Sequence, residues 1–160
     1  GAGAAVFTEG DNLKGIRLHS QPDSSKIWQK RTLMPTPYIT KQEVDVPLQM
    51  RGKEVFKFAV GASTTEVEAL LKEIGMSKSD VRFYMVHQAN LRIIDAIKKY
   101  LDEPDEKFPV NIQDHGNSSS ASCAILLDEC NRKGMFKPGD ILVFSAFGAG
   151  LLSAAAVLEW

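Results

Sequence analysis

Three short stretches of this sequence are apolar almost without a break: Val81-Arg-Phe-Tyr-Met-Val86, residues 141–147 (Ile-Leu-Val-Phe-Ser-Ala-Phe) and residues 152–158 (Leu-Ser-Ala-Ala-Ala-Val-Leu). Successive side chains of a strand point to opposite faces, so a strand with one face in water alternates apolar and polar residues. These runs do not alternate, and such strands belong to sheets covered by helices on both faces. Helical stripes lie around them. From Lys53 to Gly75 the residues Phe56, Val60, Val67, Leu70, Leu71 and Ile74 share a face, and from Ala89 to Leu101 the residues Leu91, Ile94, Ala96 and Ile97 do. A third helix is predicted over about 119–133. Strands alternating with helices, then a closing hairpin through Gly148-Ala-Gly150, define a layered α/β fold.

The rest of the chain reads less sharply. Residues 1–7 and 108–112 are expected to be strands, and 12–19 alternates as a half-exposed strand. Residues 20–50 hold Pro22, Pro35, Pro37 and Pro47 and read as an irregular excursion or a β-rich flap. A connection this long in a compact domain usually covers something. Gly61 is the weakest point of the first helix, and Lys137-Pro-Gly-Asp140 has the chemistry of a turn.

Nineteen basic against 20 acidic side chains leave a net charge of −1, which argues against a nucleic-acid binder that relies on bulk positive charge. No apolar run approaches the roughly 18 residues of a membrane span. The two cysteines, Cys123 and Cys130, fall two turns apart in one predicted helix, too far for a disulfide. Buried structural thiols in a reducing, cytoplasmic setting are the simplest reading. The opening Gly-Ala-Gly-Ala-Ala-Val-Phe has no Met, no basic segment and no signal-type apolar core, and reads as a strand entered midway in a longer protein.

Three loops follow the ends of predicted strands: His87-Gln-Ala-Asn90, His115-Gly-Asn-Ser-Ser119 and Phe147-Gly-Ala-Gly150. Ligands of open α/β sheets bind beyond the carboxyl ends of strands. Taken singly, each loop also has a plain reading. His87 caps a strand as a half-buried histidine, Asn117 caps the following helix, and Gly148 and Gly150 are turn glycines.

Taken together, Val86-His-Gln-Ala-Asn-Leu-Arg-Ile93, His115-Gly-Asn-Ser-Ser-Ser-Ala-Ser122 and Ala146-Phe-Gly-Ala-Gly150 resemble the signature loops of the C-terminal half of the β-ketoacyl-acyl-carrier-protein synthase III family. Met50-Arg-Gly-Lys-Glu-Val-Phe-Lys57 resembles its helix entry. The resemblance runs in order from Gly1 to Trp160. It implies that residues 1–160 form the C-terminal half of a thiolase-like layered fold, with a mixed five-stranded sheet and helices on both faces.

The resemblance further implies an initiating condensing enzyme of fatty acid synthesis. An acyl-CoA loads a cysteine, malonyl-acyl-carrier protein loses CO₂, and the resulting enolate attacks the acyl-cysteine. His87 and Asn117 then act as uncharged hydrogen-bond donors to the enolate oxygen. A backbone N–H near Gly148 or Ala149 serves an oxyanion hole, and Phe147 flanks the nucleophile and excludes water. Gly52, Phe56 and Ala89 line a pantetheine tunnel. Lys57, Arg92, Lys98 and Lys99 form a basic rim for the acidic carrier protein, although any one of these cations also reads as part of a solvated helix face. No metal and no cofactor of the enzyme's own are implied, since the phosphopantetheine arrives on the substrates.

The implied partners are the carrier protein, acyl-CoA, an N-terminal half holding the nucleophilic cysteine, and a second copy in a homodimer. Cys123 and Cys130 do not match the family's nucleophile, so the chain alone is expected to be inactive. After Gly150 the family's Thr-Trp-Gly type run is replaced by Leu151-Leu-Ser-Ala-Ala155, which puts the acyl-chain preference in question. Two other readings stay open: a His/Asn condensing enzyme of secondary metabolism, and a non-catalytic folding or dimerisation half.

Overall fold

The structure, a computed structural model, describes residues 1–30 and 46–160. Four strands make one mixed sheet in the order β1-β6-β5-β4: β1 (Leu13–Ser20), β4 (Val81–Val86), β5 (Ile141–Gly148) and β6 (Leu152–Glu159). β4 and β5 run parallel, while β6 is antiparallel to both its neighbours. Two short strands, β2 (Ile27–Lys30) and β3 (Val46–Met50), pair as a separate antiparallel ribbon. The long helix α1 (Gly52–Glu73) follows the ribbon, and α2 (Leu91–Leu101), the single turn α3 (Ile112–His115) and α4 (Ser122–Arg132) lie between β4 and β5. No helix among the described residues is long and apolar enough to cross a membrane.

β4 and β5 are covered on both sides, whereas β6 is covered toward α1 and open on its other face, where Leu152 is half exposed. Val81, Tyr84, Val86, Val143, Ala155 and Val157 pack against α1 and α2 through Leu70, Leu71, Ile94, Ile97 and Leu101. Phe83, Met85 and Leu142 face the other way and pack against Leu126, Cys130 and Phe136. Ile94, Ile97 and Leu101 are fully buried, and each contributes about 2 kcal/mol of burial. That α1–α2 layer fixes the end of β4, where His87 emerges.

The sheet holds four strands rather than the expected five. Residues 1–7 form no strand. They run extended across α4, where a Cβ added at Gly3 would lie 2.3 Å from that of Ala124. Val6 and Phe7 stay exposed, because the segment pairs with neither edge of the sheet. Residues 108–112 form no strand either. Phe108 stacks on Tyr84 with ring centroids 4.7 Å apart, Pro109 has no N–H to give to a ladder, and the Asn111 N–H is taken by the Gln88 side chain.

Of the 20–50 excursion, the β2–β3 ribbon bears out the β-rich reading, and residues 31–45 lie outside the described residues. Gly61 does not interrupt α1. An added Cβ there would meet nothing within 4 Å, so Gly61→Ala should raise stability by about 0.5–1 kcal/mol through the unfolded chain's lost freedom. The midpoint of denaturant unfolding measures it.

Candidate active site

β4 ends in Val86, and His87 extends its pairing by one residue, its backbone N–H donating to the Ser145 carbonyl at 2.8 Å. The imidazole is half-buried and packs edge-to-face on Phe147, with ring centroids 5.3 Å apart. Its Nδ1 lies 2.6 Å from Ser122 Oγ at the start of α4. Burial holds its pKa below the ordinary 6.5. The ring is thus neutral at physiological pH.

The next residue, Gln88, is buried and locks the loop. Its amide nitrogen donates to the Val86 carbonyl at 2.8 Å, and its amide oxygen accepts the Asn111 N–H at 3.2 Å. One side chain therefore ties the His87 loop to the turn that leads to Asn117. Asn90 then opens α2 by accepting the Arg92 N–H at 2.9 Å, an ordinary N-cap.

The Asn117 loop is anchored from below. The His115 ring bonds to Glu129, and Asn111 Nδ2 donates to the same carboxylate at 3.2 Å. These partners hold the Glu129 carboxyl below the usual carboxylate range, the His115 bond most of all. Gly116 then turns the chain with φ +61°, a left-handed conformation that suits glycine. Asn117 Oδ1 accepts the Ser119 N–H at 3.0 Å. The capping reading holds in this form, and Asn117 Nδ2 has no hydrogen-bond partner among the described residues.

Both side chains line one cavity of about 1400 Å³. Phe147, Gly148 and Ala149 border it from the β5–β6 turn, Ala89 and Arg92 from the start of α2, and Gly52, Phe56 and Lys57 from the start of α1. Lys98 and Lys99 lie outside this lining. Lys98 is held instead by Asp95 at 3.0 Å and Asp105 at 3.2 Å, so it presents no free charge at the mouth, and Lys99 is exposed further along α2. Ile27, Leu48 and Met50 of the ribbon add an apolar wall, which gives the 20–50 excursion the covering role expected of it.

Cys123 also borders the cavity. Its thiol points at the Met85 carbonyl 3.8 Å away, and burial pushes its pKa up, as it does for Cys130. Neither thiol has the low pKa of a nucleophile. Both are free.

Gln88, Ser122 and Glu129 escaped sequence reasoning as site-building residues. Gln88 and Ser122 sit inside the quoted motifs, but only the fold shows what each one touches.

The geometry agrees with solved structures. The synthase III of Thermus thermophilus superposes with a TM-score of 0.81 at 36% identity, covering 92% of this chain and 46% of that one. The 3-oxoacyl-[acyl-carrier-protein] synthase III of Aquifex aeolicus gives 0.82 at 30% identity, covering 97% and 47%. The fold is that of the thiolase-like class.

The family model described as 3-oxoacyl-[acyl-carrier-protein (ACP)] synthase III C terminal matches residues 71–160. The β-ketoacyl-[acyl-carrier-protein] synthase III of Helicobacter pylori (strain Shi470) is 38% identical over 164 residues, which are 99% of this chain and 50% of that protein. The chain belongs to the β-ketoacyl-acyl-carrier-protein synthase III family and corresponds to its C-terminal half. It spans about half the length of the curated relatives it matches.

Proposed function

We propose that the intact protein is an initiating β-ketoacyl-acyl-carrier-protein synthase, in which this chain supplies the decarboxylation site. A cysteine from the N-terminal half takes the acyl group from acyl-CoA, releasing CoA as a thiol. Malonyl-acyl-carrier protein then loses CO₂, and the electron pair of the broken C–C bond delocalises onto the thioester oxygen. The α-carbon of this enolate attacks the acyl-cysteine carbonyl. The cysteine thiolate leaves, and β-ketoacyl-acyl-carrier protein departs.

The observation that carries this reading is the pair of uncharged donors on one cavity. Burial keeps the His87 imidazole neutral, and the Ser119 N–H occupies Asn117 Oδ1, so that Nδ2 is left to donate. Preorganised donors aimed at developing negative charge contribute roughly 3 kcal/mol each. A backbone N–H near Gly148 or Ala149 serves the acyl-transfer steps, and Phe147 keeps water from the acyl-cysteine. Pantetheine lies along Gly52, Phe56 and Ala89, while Lys57 and Arg92 face the acidic carrier protein.

The N-terminal half, and with it the nucleophile, covers the side of the sheet away from α1. There Ile16 and Leu18 of β1 are 57% and 75% exposed, and Leu152 of β6 is 50% exposed, an apolar surface that calls for a partner. The intact enzyme is a cytoplasmic homodimer in this reading.

The test is condensation. The full-length protein should convert acyl-CoA and malonyl-acyl-carrier protein to β-ketoacyl-acyl-carrier protein with release of CO₂, while the 160 residues alone should form none. Turnover by the isolated chain, or none by the full-length protein, would sink the proposal.

A further inference from the structure

We infer that Ser122 is a positioning residue that fixes the proton of His87 on Nε2. The inference rests on the decarboxylation role proposed for His87, and its geometry is independent of that role. Ser122 opens α4, 35 residues beyond His87, and is buried. Its Oγ lies 2.6 Å from His87 Nδ1 and 3.2 Å from the Gln88 backbone nitrogen, and the Cys123 sulfur is a further neighbour within hydrogen-bonding reach.

The backbone N–H can only donate, so it occupies a lone pair of Oγ. Of the acceptors left to the hydroxyl's single proton, the lone pair of Nδ1 at 2.6 Å is far stronger than the Cys123 sulfur, a weak acceptor. A neutral imidazole that accepts at Nδ1 carries its proton on Nε2. Nε2 has no hydrogen-bond partner among the described residues, so this is the nitrogen available to a ligand in the cavity that His87 lines.

The relay runs from backbone N–H to hydroxyl to imidazole, and it does two things. It selects the tautomer that can donate to an oxyanion. It also joins the helix that follows the Asn117 loop to the His87 loop. The opposite tautomer would leave the buried Ser122 proton only the weakly accepting Cys123 sulfur, a costlier arrangement.

The test uses the full-length protein with ¹⁵N-labelled histidine. In the resting wild type, His87 should show the Nε2–H tautomer. In Ser122→Ala the Nδ1–H form should appear, and malonyl decarboxylation should fall about tenfold, the equivalent of one hydrogen bond, while cysteine acylation stays within twofold. Ser122→Thr keeps a hydroxyl and should restore both. If the alanine variant loses its fold, Ser122→Cys, a weak donor of similar size, makes the same comparison.

An unchanged tautomer in the variant, or unchanged decarboxylation, overturns the inference. The proposed enzyme function fails by a different result, namely decarboxylation that survives His87→Ala. The tautomer is read without turnover, so the two failures cannot be confused.

Discussion

His87→Ala in the full-length enzyme should lower malonyl decarboxylation by about 10²–10³-fold, the cost of one donor to a developing oxyanion. Loading of the cysteine from acyl-CoA should stay close to wild type. The split follows from where charge develops. In the proposed reaction, acyl transfer builds its negative charge on the acyl carbonyl, the group assigned there to the backbone N–H groups near Gly148 and the cysteine. The proposed decarboxylation builds its charge on the malonyl thioester oxygen, to which the imidazole's Nε2–H would donate. The substitution removes an interaction made in the transition state, so kcat should fall more than KM rises. Radiolabelled malonyl-acyl-carrier protein measures CO₂ release, and labelled acyl-CoA measures the loaded cysteine. Equal loss in both assays would mean that His87 supports the fold of the site rather than one step.

Asn117→Asp should be at least as damaging, for a different reason. The aspartate keeps an oxygen for the Ser119 N–H, which Asn117 Oδ1 now accepts at 3.0 Å, so the turn into α4 is preserved. A carboxylate near the first turn of that helix is also favourable. Folding should therefore hold within about 0.5 kcal/mol. The change falls on the other side of the group, where two N–H donors become an anionic oxygen. That oxygen faces an enolate that must form beside it, so both donation and the sign of the local field are lost. Decarboxylation should drop by about 10³-fold or more, with an unchanged melting transition. A variant that decarboxylates at the wild-type rate would remove Asn117 from the chemistry.

The parts of the fold that the sequence revealed were those set by local periodicity. Val81–Val86, the β5–β6 hairpin and the stripes of α1 and α2 are written in side-chain spacing, and they appear where that spacing put them. The failures have a common cause in groups that answer to distant partners. Phe108-Pro-Val-Asn-Ile112 has strand-like residues, yet the Asn111 N–H is claimed by Gln88, 23 positions earlier. Residues 1–7 have a strand's composition and no strand beside them among the described residues, so their glycines settle on Ala124 and its neighbours instead.

The site divides in the same way. Motif and resemblance single out His87, Asn117 and Phe147, and the structure brings the three to one cavity, while their roles rest on the proposal. Lys98 was misplaced because a sequence does not show that Asp95 and Asp105 will neutralise it. Ser122 was quoted in a motif and given no task, since its task exists only once α4 packs beside the end of β4.

In the proposed reaction His87 and Asn117 hold the same oxygen. The most direct measurement is a double-mutant cycle on malonyl decarboxylation with His87→Ala, Asn117→Ala and the double variant in the full-length enzyme. Two donors that share one oxyanion act as a unit, so the double variant should be little slower than the slower single variant. Losses that simply multiply, giving independent barriers for the two side chains, would contradict the claim and place His87 and Asn117 on different atoms of the substrate.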